Sequence, residues 1–398
     1  MLKIGFITPW YGKNIPGGAE MELRGISQHI AEFGVQVEIL TTCVKDFNSD
    51  WNENYYPQGE EIINNITVKR FKVRKRNVQA FDAVNYKLMN NMPISAAEEK
   101  VYVEEMVNSP DLYKYIRQEK ENYTAFVFIP YMFGTTYYGI QECREKAILI
   151  PCFHDESYIY MDIFKPVFEN MAGVIYHAKP EMELANRVFD FSKVKQGLLG
   201  EGVHTEWESD GERFRKKYNI SENYIMYAGR KDAGKNVDLL VKYFCEYKKR
   251  NENDLKLILI GGGKIDIPEK YQKDIIDLGF IDMQDKYDAY GAALTLCQPS
   301  LHESFSLVIM ESWLCNRPVI VNEGCEVTKN FAIESGGGLY FNNFFDFEGC
   351  LNYYLKNKQM AEQMGKQGGE YVRNNFSWDV IVEKYMKFIK YSIEDDKG

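Results

Sequence analysis

Much that would identify a chain quickly is missing from this sequence of 398 residues. Its eight cysteines form no C-x-x-C pair and no Cys/His group at zinc-finger spacing. They read as buried thiols in a reducing compartment, not as disulfide staples or zinc ligands. No run of about 18 apolar residues occurs, so no membrane-crossing helix is expected. The stretch Met1 to Ile7 turns into a strand pattern at once, which leaves no room for a signal peptide. There is no G-x-G-x-x-G, and dinucleotide oxidoreduction loses its main support. Positive charge is also short: 48 Lys and Arg against 58 Asp and Glu give a net charge of −10, which argues against nucleic acid as a partner. No internal repeat or low-complexity segment is evident. The expected location is the cytoplasm.

What is present is ordinary globular composition, 45% hydrophobic and 27% charged, which excludes a disordered chain. The length suggests two to three domains of about 150 residues. Leu2 to Thr8 is an apolar run fit for a buried parallel strand. After the turn-rich Pro9 to Gly18, the residues Ala19, Leu23, Ile26, Ile30 and Phe33 mark one face of a helix that Gly34 ends, and Val35 to Thr41 is the next strand. The same grammar restarts late, with a strand at Tyr224 to Ala228, a loop at Gly229 to Asn236, a helix at Val237 to Tyr247 and a strand at Leu255 to Ile260. Further units follow at Ala293 to Cys297, Ser306 to Cys315 and Pro318 to Val321. The expectation is an α/β chain of two Rossmann-like domains with parallel sheets, residues 1–203 and 204–376. The join falls in the polar stretch Gly202 to Ser221. A last amphipathic helix, 377–396, carries Trp378, Ile381, Tyr385, Phe388 and Ile389 and is expected to pack back on the first domain.

Four segments could carry chemistry. Gly229 to Asn236 fits G-x-x-x-x-G-K between a strand and a helix, but Asn236 stands where Ser or Thr must hold Mg²⁺, and the later strand Lys256 to Ile260 runs into glycines with no terminal Asp to hold a metal. A P-loop NTPase is therefore rejected. Arg230 and Lys235 beside a helix N-terminus still suit a phosphate or diphosphate, against the alternative of a solvated loop. In Pro299 to Glu311, Glu303 lies in a loop and Glu311 about two turns into the next helix, while Ser304, Phe305 and Ser306 offer backbone N–H groups at the helix start. Two surface glutamates beside a buried helix are the plain alternative. Gly17 and Gly18 let backbone approach a ligand closely, or form an ordinary tight turn. Finally, the apolar run Ala147 to Phe153 ends in His154-Asp155-Glu156, at a strand end where α/β sheets bind ligands; a loop histidine with a local hydrogen bond is the alternative.

Taken together, Gly17-Gly18, His154-Asp155, Gly229-Arg230 with Lys235-Asn236, and Glu303 to Glu311 stand in the order and rough spacing of glycosyltransferase family 4, which the sequence resembles over nearly its whole length. Pro299 to Val321 is the most specific part. His302-Glu303-Ser304-Phe305-Ser306-Leu307 resembles the family's E-G-F-G-L signature with Ser at both glycine positions, and Gly336 to Phe341 resembles its downstream stretch. The resemblance implies a GT-B fold of two facing Rossmann-like domains. It implies transfer of a hexose or N-acetylhexosamine, with retention, from a UDP- or GDP-linked sugar to a glycan, lipid-linked or other hydroxyl acceptor. Surface polysaccharide or glycoconjugate synthesis of bacterial type is the setting.

By the same resemblance Arg230 and Lys235 bind the donor diphosphate, Glu311 the ribose and Glu303 the donor sugar. His154 lies near the reacting centre, and Gly17 and Gly18 lie against phosphate or acceptor. Leu307 and the 304–306 amides complete the donor site. Metal-using transferases of the other main fold carry D-x-D. This chain has none, so no metal and no cofactor besides the nucleotide-sugar substrate is expected.

A catalytically silent GT-B subunit that stabilises a partner transferase is the alternative. Such a chain would have lost some of Arg230, Lys235, Glu303, Glu311 and His154, and all are present. The acceptor side is less defined. Tyr55, Tyr56, Tyr131, Phe133, Tyr137, Tyr138, Tyr158 and Tyr160 could stack on sugars or simply pack. The basic cluster Lys69, Arg70, Lys72, Arg74, Lys75 and Arg76 could face an anionic acceptor or the inner face of a membrane, or be the solvated side of a strand.

Overall fold

The computed structural model describes residues 2–15 and 17–394. It divides into two compact units, one of Met1–Gly202 with Trp378–Gly398, the other Val203–Ser377.

The first unit is built on an eight-stranded sheet: β1 Lys3–Ile7, β2 Gln36–Thr42, β3 Gly59–Ile63, β4 Ile66–Phe71, β5 Ala125–Phe128, β6 Ala147–Leu149, β7 Gly173–Tyr176 and β8 Lys195–Leu198. The order is β3-β4-β2-β1-β5-β6-β7-β8, and only the β3/β4 pair is antiparallel. Strands β5 and β6 are apolar and buried throughout, as strands covered on both faces must be. The apolar run Ala147 to Phe153 is strand only to Leu149. Pro151 has no N–H to give a ladder, and Cys152 takes φ 57°.

The second unit has six strands: β9 Tyr224–Ala228, β10 Lys256–Ile260, β11 Ile275–Gly279, β12 Thr295–Gln298, β13 Val319–Asn322 and β14 Gly338–Phe341. Their order is β11-β10-β9-β12-β13-β14 and every pair is parallel. Their core is a cluster around Tyr227, Leu240, Phe244, Leu257, Ile320 and Phe347.

The polar stretch read as a connector turns out to hold a helix, Gly211–Tyr218. Asp210 caps it through the N–H groups of Glu212 and Arg213, and Asn219 ends it at φ 52°. Its one buried side chain is Phe214, so composition alone concealed it. The last helix, Trp378–Ile393, belongs to the first unit. Two glycines admit its indole: a Cβ at Gly25 or Gly202 would fall 2.3 or 2.2 Å from the Trp378 ring. The ring also stacks on His29 at 4.2 Å.

Candidate functional site

In the second unit the chain runs from β9 outward to β10 and β11, then returns to start β12 on the other side of β9. The strand order reverses between β9 and β12, and ligands of open parallel sheets bind beyond the strand ends at such a point. The loops that leave these two strands are 229–236 and 299–306, the two segments singled out from the sequence.

Gly229 leaves β9 at φ 148°, with its N–H on the Ile260 carbonyl at 2.9 Å. Three cations of this loop divide the work. Arg230 points outward, 75% exposed, its Nε 3.4 Å from Asp232 Oδ2. Lys231 is buried. Its Nζ bonds Asp277 Oδ1 at 2.8 Å and the Gly261 carbonyl, so this cation pins the loop to β10 and β11. Lys235 ends a short 3₁₀ turn and reaches across to Glu303 Oε1 at 2.8 Å. Asn236, at φ 55°, starts the helix Val237–Arg250, and its Nδ2 donates to the Pro299 carbonyl at 3.1 Å. The residue that spoils the P-loop pattern thus helps Lys235 tie the two loops together. Arg230 and Lys235, paired in the sequence reading, are separated: Lys235 is committed to Glu303, while Arg230 stands in solvent.

Glu303 Oε1 also accepts from Gln298 Nε2 at 3.1 Å, so two donors converge on one oxygen. Ser304 and Leu307 are half-buried. Phe305 is in the core, edge-on to Phe331 at 5.3 Å and to Phe376 at 5.0 Å, so its ring is packing and only its backbone is available to a ligand. Ser306 begins the helix Leu307–Leu314 at φ 75°, without a side-chain cap bond. The first N–H groups of a helix have no partner inside it, so this end offers donors of the kind that suit an anion. Glu311, buried on that helix, accepts from Lys286 Nζ at 2.7 Å and Tyr290 Oη at 2.9 Å. Lys286, Tyr290 and Gln298 were not found from the sequence. The signal available was the i,i+4 spacing of Lys286 and Tyr290 on the helix Met283–Ala292. Gly336 at φ 62° ends the helix Glu326–Ser335, and Trp313 Nε1 donates to the Gly337 carbonyl, so the downstream glycine stretch is structural here.

In the first unit Gly17, at φ 143°, precedes the helix Gly18–Glu32. The Glu20 carboxylate folds over it, 1.8 Å from where a Cβ would stand, and accepts from Trp10 Nε1 at 2.6 Å. Gly18 faces open space. His154 follows β6 in a loop; its Nδ1 lies 3.8 Å from Glu156 Oε1. That loop is pinned by Glu181, which accepts from the Phe153 N–H at 2.8 Å and the His177 N–H at 2.7 Å.

Beneath it lies a buried ionisable cluster that the sequence did not reveal. His177 Nε2 is 2.6 Å from Glu22 Oε1, with Glu181, Glu201, Cys152 and Tyr385 around it. Burial opposes the His177 charge, but the Glu22 carboxylate and its hydrogen bond, then Glu181 and Glu201, lift it to about 10. Burial, then Glu22, pushes Glu201 well above the carboxylate range, and burial raises Glu181. Glu22, Cys152 and His177 bring ligand-type atoms within 4.8 Å of one another, the one such His/Cys/carboxylate group among the described residues. Burial also pushes the Cys152 thiol well up and His177 is already bonded to Glu22, so the arrangement is that of a buried ion pair.

Three cations of the basic cluster are paired with carboxylates. Lys69 pairs with Glu60 and Glu38, Arg70 with Glu61, and Arg74 with Glu105. Arg76 lies over the rings of Trp51 and Phe81. Of the aromatics, Tyr131 and Phe133 are core, while Tyr55 and Tyr160 are half exposed. Among the described residues no helix is long and apolar enough to cross a membrane.

Residues 210–371 match the family model described as "Glycosyl transferases group 1". A curated relative from Campylobacter jejuni, the N-acetylgalactosamine-N,N'-diacetylbacillosaminyl-diphospho-undecaprenol 4-alpha-N-acetylgalactosaminyltransferase, is 24% identical over 218 residues. The match covers 53% of this chain and only 57% of that relative. Among solved structures, the sucrose-phosphate synthase of Thermosynechococcus elongatus superposes with a TM-score of 0.70 at 18% identity, over 98% of this chain and 99% of that one. Anabaena HepE in complex with UDP and glucose gives 0.68 at 13% identity, over 98% and 100%. At such identities the likeness is one of fold. On these grounds the chain has the GT-B fold, and its match to the group 1 glycosyltransferase model falls within its C-terminal unit.

Proposed function

We propose that this chain is a retaining glycosyltransferase that moves a hexose or N-acetylhexosamine from a nucleotide-diphosphate sugar to a hydroxyl of a glycan or lipid-linked acceptor. The observation that carries the reading is the meeting of Lys235 and Glu303, from the loops after β9 and β12, at the strand-order reversal. A cation for a diphosphate and a carboxylate for sugar hydroxyls stand side by side there, next to an uncapped helix start. The UDP and glucose bound by HepE support the donor class, and the undecaprenol-linked substrate in the Campylobacter relative's name supports the acceptor class.

The chemistry follows from charge. As the anomeric bond breaks, negative charge grows on the departing diphosphate. Lys235, Arg230 and the helix N–H groups stabilise that charge more in the transition state than in the ground state. Glu303 Oε1 is saturated by Lys235 and Gln298, so Oε2 is the oxygen left for a sugar hydroxyl. Glu311, held at both oxygens, presents its remaining lone pairs to the ribose. The acceptor hydroxyl attacks from the face the diphosphate leaves, which retains configuration, and its proton passes to the departing diphosphate oxygen. His154 on the N-terminal unit serves the reacting centre, and Gly17 and Gly18 bind phosphate or acceptor.

The test is a thermal-shift panel with UDP, GDP and ADP and their sugars. One nucleotide is expected to stabilise the chain, by about 2.7 kcal/mol at 100-fold its Kd. Incubation of the matching nucleotide sugar with acceptor glycans, read by NMR of the anomeric proton, then reports retention. No shift with any nucleotide would overturn the reading.

A further inference from the structure

We propose that Gln298 orients the Ser306 hydroxyl as an additional donor to the diphosphate of the nucleotide ligand, an inference that rests on the donor reading above. Gln298 is the last residue of β12 and is buried. Its Nε2 donates to two acceptors, Glu303 Oε1 at 3.1 Å and Ser306 Oγ at 3.2 Å. A carboxylate only accepts, so the nitrogen of the carboxamide and not its oxygen must face Glu303, which fixes the orientation of the whole group. Ser306 Oγ therefore takes a hydrogen bond from Gln298 and keeps its own proton to give elsewhere.

The backbone at this position sharpens the point. Ser306 sits at φ 75°, ψ 73°, where an L side chain is disfavoured and glycine is at ease. The signature that this stretch resembles has glycine there. A serine that accepts this strain, and whose hydroxyl does not cap its own helix, is tied instead to Gln298. Its hydroxyl stands at the start of the helix Leu307–Leu314, where the first N–H groups have no intrahelical partner. An anion bound at that end would gain one O–H bond that a glycine could not offer. Through Glu303 Oε1 the same carboxamide is linked to Lys235. One buried side chain thus sets the sugar-side carboxylate and the phosphate-side hydroxyl together.

The experiment is calorimetric titration of UDP, GDP and ADP into the parent chain, Ser306→Gly, Ser306→Ala, Gln298→Leu and the Gln298→Leu/Ser306→Gly double variant. For whichever diphosphate binds the parent, Ser306→Gly and Ser306→Ala are each expected to weaken binding about tenfold, the worth of one hydrogen bond to a charged group. Ser306→Gly is expected to melt no lower than the parent, because it also relieves the backbone. Gln298→Leu should weaken binding by a similar factor, and the double variant should be little worse than either single one, because both changes break the same link. Parent-like affinity in Ser306→Gly overturns the proposal, as does a double variant whose two losses multiply. If Ser306→Ala weakens binding and Ser306→Gly does not, backbone geometry and not the hydroxyl is responsible, and the proposal falls. If the parent binds none of the three nucleotides, the donor reading fails, and this inference with it.

Discussion

The four charged side chains of the C-terminal site differ in what surrounds them, and that difference sets what each substitution should do. Arg230 stands exposed, with Asp232 its ion-pair partner among the described residues, so its planar fork is available for two phosphate oxygens. If it stabilises the charge that develops on the leaving diphosphate, Arg230→Ala lowers kcat by about 10²-fold or more, by analogy with loss of one transition-state donor. Arg230→Lys should not rescue it. Glu311, fixed by Lys286 and Tyr290, would touch the ribose equally in ground and transition states, so Glu311→Ala should raise the donor KM and spare kcat. Steady-state kinetics on both variants checks the pair, and a near-parental kcat in Arg230→Ala would remove its assignment. At this scale the sequence was informative about residue type and silent about partners. Glu303 and Glu311 were singled out by their place in the loop and helix, and given roles only by the family resemblance. Gln298, Lys286 and Tyr290 were not, because what selects them is where the ends of β12 and of the helix Met283–Ala292 come to lie.

Among the elements, the helix Gly18–Glu32, the end of β7 and the helix Trp378–Ile393 meet at a buried ion pair. Glu22 comes from the first, His177 follows the second, and Tyr385 on the third donates to Glu22 at 3.4 Å. His177 is lifted from its ordinary 6.5 to about 10 in the folded chain, so folding holds its proton more tightly. The stabilisation is fully present below pH 6.5 and is lost as pH rises through about 10. Glu181 and Glu201, also raised, act in the same direction from the ordinary carboxylate range upward. Urea midpoints should therefore fall between pH 6.5 and 10. His177→Gln should cost about 3–5 kcal/mol at pH 6, because it leaves Glu22 buried without its cation, and should flatten the slope. A parent midpoint that does not move across this window contradicts the account. Helix periodicity announced the first and last of these elements, but not that they share a charge.

For the whole molecule, the absence of D-x-D and the cations at the proposed diphosphate site lead to one expectation: transfer survives EDTA and gains little from added Mg²⁺ or Mn²⁺. Strict dependence on either metal in a transfer assay would refute it. The alternation of strand and helix, and its restart near Tyr224, were legible because hydrophobic period is a property of neighbours along the chain. So were the two loops with Lys235 and Glu303, since loops must follow apolar strands. The helix Gly211–Tyr218 was missed because a single buried phenylalanine makes no period. Only the tertiary structure decided that Lys235 meets Glu303 across 68 residues and His177 meets Glu22 across 155. It also decided that Lys69, Arg70 and Arg74 of the basic cluster are met by Glu60, Glu61 and Glu105. Ion pairs of this kind depend on which strands become neighbours. That order is set by crossovers and core packing over the whole chain, and no local window of sequence contains it.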